Sequence, residues 1–122
     1  MTRSAKEIYR DVTAHIKAEQ RAQEEALAQK IEALKSEKLP ALEGSEKQIA
    51  WAADIRLRKL AELEQMMEEA LAEMPGENEL IEAQGREYKT RLLKITRAAT
   101  WIDARKSSVD HIISTVCRSL GI

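Results

Sequence analysis

The sequence predicts an all-α fold made of a long N-terminal helix, an antiparallel helical hairpin and a short C-terminal helix. Composition is the first reason. The 122 residues are 34% charged and include no Phe, four Gly and two Pro, with Ala, Leu, Glu, Lys, Gln and Arg dominating, and these are the strong helix formers. Spacing is the second, because apolar residues recur every three or four positions along most of the chain. The third is punctuation: Pro40 comes shortly before Gly44-Ser45, and Pro75 adjoins Gly76, places where a helix has to stop. A chain of this length is expected to form one domain, spanning 1–122.

The first helix or arm is expected over 4–38. Ser4-x-x-Glu7 is a capping-box pattern, and Ile8, Val12 and Ile16 follow at i+4. Beyond Glu19 the apolar residues are mostly Ala, leaving only Leu27, Ile31 and Leu34 to bury. A long, largely solvated arm is the consequence.

Pro40 ends that segment, and Gly44-Ser45 opens the next, with Ser45 as N-cap and Gln48 three residues on to return a hydrogen bond. Ile49, Ala53, Leu60, Leu63, Met67, Ala70 and Met74 then keep the helical spacing, interrupted at Arg56. Pro75-Gly76-Glu77-Asn78 reads as a tight turn into a helix along Ile81, Tyr88, Leu92, Ile95, Ala99 and Ile102. The hairpin therefore spans 45–102 with its turn at 75–78, and helices joined by so short a link are antiparallel neighbours.

Trp51 and Trp101 are equally far from Gly76 along the sequence, about 37 Å at the helical rise, so both are expected at one level of the hairpin. Neither lies on the seam. They are expected to form a compact base against a last helix over 107–120, with Val109, Ile112, Ile113, Val116 and Leu120 as its apolar residues and Gly121 as its terminator.

The segment Gly44-Ser45-Glu46-Lys47-Gln48-Ile49-Ala50-Trp51-Ala52-Ala53-Asp54-Ile55-Arg56 and the later Trp101-Ile102-Asp103-Ala104-Arg105 form a two-part motif. It resembles a pattern of small phage and mobile-element proteins, G-S-x-K-Q-x-x-W-A-x-x-I-R followed by W-I-D-x-R. The resemblance covers about 18 residues, with Thr100 where that pattern often has another Trp, and it implies no particular activity. Lys47, Gln48, Trp51, Arg56, Trp101, Asp103 and Arg105 are the cluster it singles out. Charged members, with Asp54, are expected to pair around the tryptophans, either as a structural joint or as a partner surface.

Charge is unevenly distributed. Residues 1–83 hold 12 Lys and Arg against 18 Asp and Glu, whereas residues 84–122 hold 8 against 3. Between Leu60 and Gly85 there are eight Glu and no Lys or Arg: Glu62, Glu64, Glu68, Glu69, Glu73, Glu77, Glu79 and Glu82. Like charges this dense repel, so the run is either solvated surface or an acidic tip that meets a basic partner. A rod of carboxylates can occupy a channel built for phosphates. Arg86, Thr90, Lys94, Arg97 and Trp101 form the opposite candidate, a basic helical stripe with an indole to stack on a base.

Catalysis finds no support in the residues. His15 and His111 are far apart, and Cys117 stands alone in an apolar helix. His111 and Cys117 are not at the i, i+4 spacing of two metal ligands on one helix, and no phosphate loop or nucleophile elbow appears. The expectation is a cofactor-free, metal-free, non-enzymatic protein. With a single Cys, no signal-like apolar run after Met1-Thr2-Arg3 and no apolar stretch of membrane length, it is expected in the cytoplasm of a bacterial host, away from membranes.

Together these readings point to a phage or mobile-element protein that inhibits a host defence system in the anti-CRISPR manner. Its expected partner is a host protein with a basic, nucleic-acid-binding surface. The alternatives are an accessory protein that binds nucleic acid through the basic stripe and a coiled-coil adaptor or homodimer.

Overall fold

A computed structural model of the chain describes residues 4–122, so the expectations placed on Met1, Thr2 and Arg3 fall outside the described residues. Helix α1 spans Ala5–Lys35, α2 Glu46–Glu73, α3 Asn78–Leu93 and α4 Ala98–Asp103. Helix α5 begins at Val109–His111 and continues as a π-helical stretch over Ile112–Cys117. The all-α expectation holds.

The caps explain the starts. Ser4 Oγ accepts the Glu7 N–H, and Ser45 Oγ accepts the Gln48 N–H while Gln48 Oε1 takes the Ser45 N–H, a closed capping box. At the start of α5 Ser108 Oγ accepts the His111 N–H. At the far end Gly121 is left-handed at φ +74°. Its N–H and that of Ile122 return to the carbonyls of Arg118 and Cys117, the arrangement expected of a glycine stop.

Helix α2 is the axis of the fold, packing against α1, α3, α4 and α5. Leu60, Ala61 and Leu63 from α2 meet Leu27 and Leu34 of α1, Leu92 of α3, Trp101 of α4, and Val109, Ile112 and Cys117 of the last helix in one core. Helix α1 runs antiparallel to α2. Its Leu34 end sits beside Ala53 and Leu57, and the Gln23 carbonyl accepts from Gln65 further along.

Before Leu27, α1 has almost nothing to bury. Every residue from Ser4 to Glu25 is exposed apart from the half-buried Thr13, including Ile8, Tyr9, Val12 and Ile16. The arm leaves the body at the end where the α2–α3 turn lies.

The third helix stops at Leu93 rather than continuing to Ile102. The Glu43 N–H donates to the Thr96 carbonyl at 2.7 Å, and the Ala98 N–H donates to the Glu43 carbonyl at 2.8 Å. A short parallel bridge between Glu43 and Arg97 results. The Ile95 carbonyl, which a continuous helix would offer to residue 99, instead accepts Trp101 Nε1–H at 2.9 Å. Tertiary partners thus replace the helical ladder here, and the hairpin ends before 102 with α4 as a separate element.

Candidate functional site

The two halves of the G-S-x-K-Q motif meet. Arg105, just beyond α4, places its guanidinium 5.4 Å from the centroid of the Trp51 ring, within cation–π range. The two indoles differ, however. Trp101 is fully buried at 0% exposure, whereas Trp51 is 50% exposed. The expected base around both tryptophans is therefore corrected to a base around Trp101 alone, because α4 covers the core while the Trp51 stripe of α2 faces outward.

The charged members of the motif do not pair with one another. Among the described residues no ion pair joins Lys47, Asp54, Arg56, Asp103 or Arg105 to another of the five. Arg56 points inward and donates from Nη1 to the Pro40 carbonyl at 2.7 Å. Burial lowers its pKa from the ordinary arginine value, and its Nε has no hydrogen-bond partner among the described residues. Lys47 and Asp103 are exposed. Gln48 is spent on the capping box, and Gly44 holds φ +152° with Ala98 Cβ only 3.1 Å from where a Cβ would sit. Most of the motif is accounted for as a joint between the 36–45 connection, α2 and α4.

Lys59 is a second buried cation, with no distinguishing signal in the sequence. Its Nζ donates to the Ser107 carbonyl at 2.6 Å and lies 3.4 Å from Glu62. Arg56 was signalled as a charge breaking an apolar spacing, but Lys59 looks like any helix lysine.

The basic stripe loses its helix and its aromatic. Arg86, Lys94 and Arg97 are exposed, but α3 ends between Arg86 and Lys94, and Arg97 lies in the extended link. Trp101 cannot stack on a base because it is enclosed in the core.

The acidic run divides. Glu62 pairs with Arg58 at 3.3 Å within α2, where Arg58 also reaches Glu24 of α1 at 3.0 Å, and Glu68 pairs directly with Lys30 of α1 at 3.0 Å. Glu64 lies at the rim of a groove and its pKa is raised, first by withdrawal of the carboxylate from water, with Lys89 and Lys30 opposing. Glu69, Glu73, Glu77, Glu79 and Glu82 are exposed and, among the described residues, none forms an ion pair. They surround the turn whose Glu77 N–H returns to the Met74 carbonyl. Met74 and Leu80 stand exposed among them at 47% and 66%. The tip therefore offers carboxylates around two apolar side chains.

Among the described residues no cluster of His, Cys, Asp and Glu is placed to hold a metal ion, and no helix is long and apolar enough to cross a membrane. Cys117 is buried, which pushes its thiol pKa up. His15 is on the arm beside Glu19, far from His111 in sequence. Comparison with protein-family models, with curated proteins and with solved structures finds no match for this chain.

Proposed function

We propose that this chain is a non-catalytic binding protein that docks its acidic hairpin tip onto a basic protein surface that normally holds nucleic acid. In this reading it blocks a host defence machine, as an anti-CRISPR-type inhibitor carried by a phage or mobile element does. The carrying observation is the set of five exposed carboxylates, Glu69, Glu73, Glu77, Glu79 and Glu82, with Met74 and Leu80 between them. Unpaired like charge at this density costs stability, and a basic partner relieves it. The apolar pair gives such a contact a centre that excludes water, which charge alone does not supply. The resemblance of the Gly44–Arg56 segment to phage and mobile-element proteins supports the setting.

The test changes all five to Gln and compares inhibition of CRISPR interference in cells. Gln keeps helix propensity near that of Glu, so the fold survives while the charge goes. Loss of inhibition is expected, mainly through slower association. Full inhibition by the Gln variant, or none by the wild type, overturns the reading. Titrating labelled single- and double-stranded nucleic acid across a salt series separates the accessory-protein alternative, which requires binding that falls steeply with salt.

A further inference from the structure

We propose that the chain forms a homodimer by exchanging arms: the Ile8–Val12–Ile16 stripe of one α1 seats in the groove between α2 and α3 of a second copy, and the reverse. Both halves of the contact are present and unfilled. The arm shows large apolar residues to solvent although an isolated helix of its length is marginal in water. The groove has a volume of about 370 Å³ and an apolar floor of Leu60, Leu63 and Met67, with Gly85 opposite. Among the described residues Lys30 and Glu37 reach its rim, while Glu64, Glu68, Glu82 and Arg86 on its walls stay exposed.

The arm cannot fill its own groove. Helix α1 is unbroken from Ala5 to Lys35, so its first turns are carried away from α2 and could fold back only by breaking the helix. Length matches between copies. Ile8 to Ile16 and Leu60 to Glu68 each span about 12 Å at the helical rise.

Charge sets the direction. On a helical wheel Lys6 and Lys17 flank one side of the stripe, and Glu7 and Asp11 flank the other. One wall of the groove presents Glu64 and Glu68 from α2, the other Arg86 and Lys89 with Glu82 nearer the tip. Glu68 and Lys89 already pair with Lys30 and Glu37, whereas Glu64 and Arg86 form no ion pair among the described residues. The arm's basic edge therefore lies toward α2 and its acidic edge toward α3.

Area favours exchange over a simple pairing of arms. One arm seated over about 12 Å buries roughly 300 Å² across both partners, too little to hold two chains together. Two reciprocal contacts bury about 600 Å², the size of a weak, concentration-dependent dimer. This dimer does not depend on what the acidic tip binds.

Light scattering on the eluting protein, across a concentration series, should give the mass of a dimer. Val12→Glu should raise the dissociation constant at least about tenfold by placing a charge in an apolar contact, with the melting temperature of the monomeric body unchanged because residue 12 lies on the exposed arm, outside the core. Mixing a Val12→Cys chain with an Arg86→Cys chain under mild oxidation should give the mixed disulfide, since Cys117 is buried and does not compete. A monomer at every concentration overturns the proposal. So does a disulfide that forms only between two Val12→Cys chains, which is the signature of arm against arm.

Discussion

Lys59 Nζ donates to the Ser107 carbonyl at 2.6 Å, so a cation from the middle of α2 holds the connection between α4 and α5. Only 6% of the residue is exposed, and its aliphatic stem contributes to the α2 face that packs on that connection. Lys59→Ala should lower stability by about 2–3 kcal/mol, because a charged hydrogen bond is lost and a carbonyl is left without its donor. Lys59→Met should recover the packing part alone. Urea unfolding of the two variants separates these contributions, and an unchanged midpoint for both would show that the bond contributes nothing.

The tryptophans should behave differently. Trp101→Ala is expected to cost about 3–5 kcal/mol as a large buried side chain, and Trp51→Ala only about 1 kcal/mol, the size of an exposed cation–π contact. Acrylamide should quench the Trp51 fluorescence readily in a Trp101→Phe protein and the Trp101 fluorescence poorly in a Trp51→Phe protein. Equal quenching would contradict the two environments.

Two glycines offer a matched pair. Gly44 and Gly76 both sit at positive φ, +152° and +103°, but a Cβ at Gly44 meets Gln48 Oε1 at 3.0 Å and Ala98 at 3.1 Å, while at Gly76 nothing lies within 4 Å. Alanine at either position incurs backbone strain of about 1–3 kcal/mol. Gly44→Ala should lower the melting temperature by more than Gly76→Ala, since it also forces apart α2 and α4.

The Cys117 thiol is raised in pKa by burial, with Arg91 opposing. Its folded pKa exceeds the unfolded one, so any stability linked to its proton is present below the unfolded value and is lost as pH rises through the folded value. At mildly alkaline pH iodoacetamide should therefore label it far more slowly in the native protein than in urea. Equal rates would place the thiol at the surface.

How much of this was legible in the sequence follows from the range of the interactions. Ser4, Ser45, Gln48 and Gly121 announce their roles because caps are made by residues three or four apart, and the α2 stripe from Ile49 to Ala70 reads directly from its spacing, whereas Met74, expected to continue it, is exposed at the tip. The exposed Glu69–Glu82 run was equally plain. The end of α3 at Leu93 was not, because Glu43 and Trp101 cause it from elsewhere in the chain, and the apolar spacing through Ile95 and Ile102 continues as if the helix did too. Nor could spacing assign Trp51 to solvent and Trp101 to the core, since that depends on where α4 turns once released from α3. The groove beside Gly85 left only a glycine inside a helical pattern as its trace.

The bridge between Glu43 and Arg97 has a kinetic meaning. It closes a loop of chain that contains the whole of α2 and α3, so chain entropy opposes it until the hairpin is already in place. The local contacts of α2 with α3 are therefore expected to form first, and the bridge, with the Gly44 joint beside it, to form after the barrier. Weakening that joint should accordingly leave the refolding rate nearly untouched and shorten the lifetime of the native state instead.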